Sequence, residues 1–327
     1  MSQPASGAPR WRQALSWFLL VAGFGLLVFL VVDAGLNNVW RAIVMAGPWL
    51  PLITLFGAGW FVGEVIAHRI LLEDDAQRVP LGALMRANLA AYAIVVLAPL
   101  GKAGAEIARA AVVAKHVGGG RAAAAAANVQ AASLLGNAAI SVPCAAAVFA
   151  TLGGSSLLGW LVVGNGVLTL ALGTTALVLT RLGRVGERLA GRFKALEVSG
   201  PQLDLALRVR VSTFAKAVLA TFTARVSQTA QYGVLVLAVG GALGLDSALA
   251  TQGVHLVGAA AGDMVPGQVG VVEGAYRVFA DALGLEEVAA LSIGLVARVS
   301  AILLAGLALL GLALTRDGAP RNPPETP

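Results

Sequence analysis

Residues 248–283 read ALATQGVHLVGAAAGDMVPGQVGVVEGAYRVFADAL. Two short apolar arms, Ala248–Val265 and Val271–Leu283, meet at Pro266-Gly-Gln-Val-Gly270. A helix breaks there, because proline lacks an N–H donor and glycine lacks the Cβ that restricts the backbone. Arms of 18 and 13 residues, at about 1.5 Å per residue, do not comfortably cross a hydrocarbon core about 30 Å thick. The stretch therefore predicts a re-entrant helical hairpin with its tip near mid-membrane. Residues 83–117, ALMRANLAAYAIVVLAPLGKAGAEIARAAVVAKHV, repeat the arrangement. Here the arms Ala83–Pro99 and Gly104–Val117 flank Pro99-Leu-Gly101-Lys-Ala-Gly104. The breaks are thus Pro99, Gly101 and Gly104 in the first hairpin and Pro266, Gly267 and Gly270 in the second.

The rest of the chain agrees with a membrane setting. Of 327 residues, 58% are hydrophobic and 12% charged, and mean hydropathy is +0.82. Soluble domains carry about 25% charged residues, so a soluble enzyme and a disordered chain are excluded. The long apolar runs also exclude an outer-membrane barrel. The single Cys144 excludes an internal disulfide, and the scattered His68, His116 and His255 give no multi-histidine metal site. No cofactor is expected.

Other apolar runs are Ala14–Val32, Pro48–Ala67, Ala122–Thr151, Ser156–Thr180, Phe214–Val239 and Val288–Leu314. The first is long for a signal-peptide core and reads as a retained span. The expected fold is an all-α integral membrane protein with about six crossing helices plus two re-entrant hairpins, or about eight to ten hydrophobic helices in all. Basic residues orient it. Eight lie between Arg181 and Lys216, two at Arg316 and Arg321, two at Arg10 and Arg12, and three from Arg69 to Arg86; the expected outer connections hold Arg41 alone. Positive charge marks the cytoplasmic side, so both termini are expected inside, in a bacterial inner membrane. Residues 1–12 and 316–327 form tails, 13–315 the membrane domain, and 181–212 a cytoplasmic amphipathic connector whose basic face suits anionic lipid. Nucleic-acid binding is not expected, since the connector has no aromatic interleaving and no recognised motif.

Span–hairpin–span occurs twice, over 48–151 and 213–315, first entering from outside and then from inside: an inverted repeat. Pro99 and Glu106 are seven apart, as are Pro266 and Glu273. Counting 24 onward reaches Gln130 and Ala297, next to Arg298. Broken helices at matching places in inverted halves point to a substrate site at the repeat interface.

The segments Pro99-Leu-Gly-Lys-Ala-Gly-Ala-Glu-Ile-Ala-Arg109 and Pro266-Gly-Gln-Val-Gly-Val-Val-Glu273-Gly, with Leu283-Gly284 and Arg298, resemble the paired signatures of a flippase-like membrane family. That family is named after the transmembrane region of lysylphosphatidylglycerol synthases. The resemblance spans roughly residues 12–315. The first signature departs from it by reading Gly104-Ala105-Glu106 in place of a Gly-Glu pair. The resemblance implies lipid movement between leaflets by a two-hairpin inverted repeat. The synthases append a soluble aminoacyl-transfer domain for which this chain has no room, so lipid aminoacylation is not implied.

Ionisable side chains at membrane depth are costly and tend to face a cavity or pair. Glu273 can hold a cationic partner or a headgroup amine, or bridge to Arg298 or Arg277. Arg298 can fork onto a lipid phosphate or anchor the hairpin through Glu273. Glu106 and Arg109, three apart, share a helix face. They form either a self-contained pair or the first-half counterpart of Glu273. Lys102 can meet an anionic headgroup or snorkel to the interface. Arg225, Gln228 and Gln231 make one polar stripe, suited to a headgroup path or to interhelical hydrogen bonds. Asp263 is expected to cap the second hairpin or to partner Arg225. Asn128, Gln130 and Asn137 read as interhelical glue, and Glu64 as interfacial. Helix N-termini after Gly104 and Gly270 offer free N–H groups to phosphate.

The expected function is a flippase or transporter for a polar-headgroup lipid, not an enzyme. The alternatives are a membrane scaffold partnering a lipid-synthesis enzyme, or an intramembrane lipid-modifying enzyme using Glu106 or Glu273. Small-residue faces at Gly23-Phe-Gly25 and Gly306 fit either a homodimer or packing within the chain.

Overall fold

The computed structural model describes residues 10–97, 101–182, 187–188 and 199–314, and among them there are helices and no strands. Six helices are long: α1 (Arg10–Asp33), α3 (Leu50–Leu71), α6 (Gly119–Leu152), α7 (Leu157–Leu182), α9 (Val211–Ala238) and α12 (Glu287–Leu314). Four segments are long and apolar enough to cross a membrane: Leu36–Leu71, Gly119–Leu152, Leu157–Leu182 and Glu287–Gly311. α9 is equally long but carries the polar stripe around Arg225, which lowers its hydropathy.

The outer surface is apolar. Phe18 and Phe29 on α1, Leu168 and Leu170 on α7, and Leu307 and Leu310 on α12 are all exposed. In water such a surface would be an aggregation liability; hydrocarbon is the solvent that suits it. The protein is an all-α integral membrane protein.

The second proline–glycine segment interrupts a helix. Leu81–Leu97 (α4) and Gly101–Val117 (α5) pack against each other, as do Leu245–Gly262 (α10) and Val271–Val278 (α11). Pro99 lies outside the described residues. α5 starts at Gly101, three residues earlier than the sequence suggests, so Gly104 sits inside the helix. In the second hairpin the break is sharp. Gly267, Gln268 and Gly270 have φ of 64°, 55° and 79°. Gln268 there costs about 1–2 kcal/mol, since Cβ crowds the carbonyl in the left-handed region.

Leu36–Ala46 (α2) was not foreseen. Val39 and Ala46 are buried while Trp40, Val44 and Met45 are exposed. This short amphipathic helix runs through the turn Gly47–Trp49 into α3 and packs on α12. Of the connector, Ser199–Leu207 (α8) lies against α6 and α7, and Asn128 donates to the Leu207 carbonyl.

Packing is matched between the two halves. α3 lies along α9. The first arm of each hairpin packs on the closing helix of the other half, α4 on α12 and α10 on α6. The second arm packs on the closing helix of its own half, α5 on α6 and α11 on α12. Small residues allow this in lipid, where close backbone approach supplies the attraction. A Cβ on Gly63 would stand 2.6 Å from the Ala224 Cβ of α9. The alanine run 122–126 is largely buried for the same reason.

The second hairpin is built into the largest apolar cluster, where Tyr276 and Val254 join Leu235, Ile293, Cys144 and Val148. The first belongs to a smaller cluster with Phe61, Val65 and Ala122. Gly23 is buried against the second tip, and a Cβ there would stand 2.6 Å from the Val269 carbonyl oxygen. Its small size thus serves packing within the chain. Gly25 and Gly306 have open space instead.

Candidate functional site

Between the halves lies a cavity of about 430 Å³. Its wall takes residues from α3, α4, α5, α6 and α7 and from α9, α10, α11 and α12. Four acids, Glu64, Glu106, Asp263 and Glu273, and three arginines, Arg109, Arg225 and Arg298, line it. Thus Glu106, Arg109, Glu273, Arg298, Arg225, Asp263 and Gln228, foreseen one by one from the sequence, converge on one space. The Lys102 side chain lies outside the described residues.

The second hairpin tip is closed on itself. Glu273 is 1% exposed. One carboxylate oxygen accepts from the Gly270 N–H at 2.8 Å, and the other accepts from Arg298 Nε. The same guanidinium donates to the Gly267 carbonyl at 3.0 Å and to the Gln268 carbonyl at 3.4 Å. Arg298 therefore ties α12 to the left-handed turn. The N-terminus of α11 expected to meet phosphate already holds Glu273, a carboxylate in the anion's place. Gln268 Nε2 donates to Asp263 across the break at 3.1 Å and to the Ala259 carbonyl at 3.2 Å. Asp263 thus serves the hairpin, as its position before Pro266 suggests. Arg277 takes no part. It pairs with Asp33 at 2.6 Å and Glu287 at 2.8 Å, tying α11 to α1 and α12.

The first half is wired differently. Arg109 bridges Glu106 at 3.2 Å within α5. The position 25 beyond Glu106 is Ala131, so α6 offers no counterpart of Arg298 there. Glu64, expected at the interface, is instead 6% exposed and accepts from Ser133 Oγ at 3.1 Å. Arg225 Nη2 reaches the same hydroxyl at 3.5 Å, and its Nη1 donates to Gln228 at 2.9 Å. Its guanidinium carbon lies 5.7 Å from the Trp60 ring centroid, within cation–π range. Arg225 Nε is buried with no hydrogen-bond partner. Among the described residues no carboxylate lies within 4.0 Å of Arg225.

Several lining residues escaped the sequence reading: Trp60, Tyr92, His255, Asn165 and Ser133. One signal existed. Gly57, Trp60 and Glu64 are spaced three and four apart, on one face of α3. Gln130 and Asn137, expected as glue, also line the cavity.

Fold and site together define a polytopic helical membrane protein that encloses a charged cavity between two similarly packed halves. The chain belongs to the lysylphosphatidylglycerol synthase TM region family, whose model matches residues 16–310. That membership links it to lipid handling. No curated protein and no solved structure matches the chain.

Proposed function

We propose that the protein moves a polar-headgroup lipid between leaflets of a bacterial inner membrane, with both termini cytoplasmic. The headgroup crosses through the charged cavity while the acyl chains stay in the bilayer. The two hairpins, re-entrant and set in inverted halves at 48–151 and 213–315, form its walls. Rocking of one half against the other would alternate access.

The observation that carries the reading is Arg225. An arginine near the centre of a span costs about 2.5–3.5 kcal/mol on insertion scales. Here its direct hydrogen-bond partners are neutral, one nitrogen is orphaned, and the nearby carboxylate, Glu64, is reached only through the Ser133 hydroxyl, so the guanidinium fork stays open to the cavity. A structural ion pair would have no need of that arrangement. A headgroup phosphate supplies the missing charge through the guanidinium fork. The family's association with lipid supports the same reading.

The test is leaflet exchange of headgroup-labelled phospholipids in proteoliposomes. Wild type accelerates exchange. Arg225→Gln, with an unchanged unfolding temperature, loses that acceleration by roughly ten- to hundredfold, since a hydrogen bond to a charged group contributes about 1.5–3 kcal/mol. No acceleration by wild type across a broad lipid panel would overturn the reading in favour of a scaffold beside a lipid-synthesis enzyme.

A further inference from the structure

A side pocket of about 50 Å³ opens off the main cavity between α3, α4 and α5. Glu64, Glu106, Arg109 and Asn88 line it. The polar atoms around it are unsatisfied in a telling way. Asn88 is 1% exposed and its Oδ1, an acceptor, has no partner. Arg109 is 9% exposed and its Nε–H, a donor, has none either. Behind Asn88 stands His68, 0% exposed, with Nδ1 3.2 Å from Asn88 Nδ2. That amide nitrogen can only donate, so Nδ1 accepts and the other ring nitrogen carries the proton. His68 Nε2 is buried without a partner as well. Orphaned donors and acceptors side by side call for a ligand that both gives and takes hydrogen bonds. Water does; a bare metal cation does not, and Arg109 would repel it. Among the described residues no group of three or more potential metal ligands occurs. The pocket volume suits one or two waters at about 30 Å³ each.

We propose that this side pocket is a proton site, in which Glu106 and Glu64 exchange one proton with water, and that the proton travels with the lipid headgroup. The coupling rests on the lipid-moving reading above; the proton site itself does not.

The wiring explains why the first half carries this site and the second does not. Glu273 stands in the cavity wall but is 1% exposed, and both its carboxylate oxygens are engaged, one by Arg298 and the other by the Gly270 N–H. The side chain of Glu106 is 26% exposed, and among the described residues its one basic partner is Arg109. The groups facing Glu106 are Arg109 on its own helix, Glu64 from α3 and Tyr92 from α4, with His68 of α3 behind Asn88 and Arg225 of α9 beyond Ser133. α6, which packs on α5, brings the neutral Ser133 and Gln130; Lys102 precedes Glu106 by one turn on α5. When a water proton moves onto the Glu106 carboxylate, its charge is lost and the Arg109 guanidinium is freed. The cavity then offers Arg109 and Arg225 together to an anionic phosphate. When the proton returns to water, Glu106 reclaims Arg109 and the headgroup is released. Proton and anionic headgroup therefore move in the same direction.

Two measurements test this. In detergent, infrared difference spectra between alkaline and acidic buffer show a protonated-carboxyl band, and Glu106→Gln or Glu64→Gln removes or shifts it. In proteoliposomes, a pH gradient drives anionic phospholipid toward the alkaline side, approaching about tenfold asymmetry per unit of gradient for one proton per lipid. Absence of the carboxyl band in wild type, or a band untouched by both variants, overturns the proton site. A sodium gradient that drives lipid where a pH gradient does not overturns the coupling of that proton to the lipid. A normal band with no lipid exchange under any gradient would sink the transport reading and the coupling, and leave the proton site standing.

Discussion

Replacing Arg298 with methionine removes the clamp on the second hairpin tip while keeping most of its apolar volume. Glu273, 1% exposed, is left as a buried carboxylate with only the Gly270 N–H to answer it. Breaking a buried pair by deleting one partner costs about 3–5 kcal/mol, because the other charge remains uncompensated. Adding Glu273→Gln removes that charge and keeps an oxygen that can accept from Gly270. What is then lost is mainly the two bonds to the Gly267 and Gln268 carbonyls, at about 1 kcal/mol each. The double variant should thus be more stable than Arg298→Met alone, by roughly 1–3 kcal/mol. The chain carries its own reporter. Cys144 is the one cysteine and is 0% exposed. A fluorogenic thiol reagent therefore stays dark on the folded protein in detergent and lights up on thermal unfolding. The expected order of unfolding temperatures is wild type, then the double variant, then Arg298→Met. A single variant as stable as wild type, or a double variant no better than the single, would refute the claim that Arg298 acts by compensating Glu273.

Four further variants test local contacts. Gly270→Ala should destabilise by about 2–5 kcal/mol, the sum of a left-handed backbone and a Cβ only 2.3 Å from the Gly23 carbonyl oxygen; Gly306→Ala, in open space, should match or slightly exceed wild type in the same thermal assay. Asp75→Asn breaks bridges to Arg78 and Arg121 at a partly exposed site, so its cost should stay within about 1 kcal/mol and shrink as salt is added. Trp60→Leu removes the ring beside Arg225 and should slow lipid exchange several-fold, as expected for loss of a cation–π contact of about 0.5–2 kcal/mol, without shifting the unfolding temperature by more than Asp75→Asn does.

The sequence by itself determined the class of protein, the break at Pro266–Gly270 and most of the charges that line the cavity. Apolar excess leaves no soluble alternative, a Pro/Gly break shows locally, and an arginine inside an apolar run is conspicuous wherever it points. Arg225, Glu273 and Arg298 could be read off for that reason. Tertiary structure alone decided which way each one faces. In a membrane both faces of a helix can be apolar, so the hydrophobic periodicity that locates a core in a soluble protein carries little here. Glu64 therefore read as interfacial beside His68 and Arg69, while the packing of α3 along α9 turns it inward. The difference between the hairpins was hidden as well. Glu106 and Glu273 occupy matching positions after their prolines, but whether a carboxylate is capped and bridged or left open depends on a residue about 25 positions away. That is Arg298 in one half and Ala131 in the other. Long-range pairing of this kind is set by helix packing, and only the assembled bundle brings it into contact.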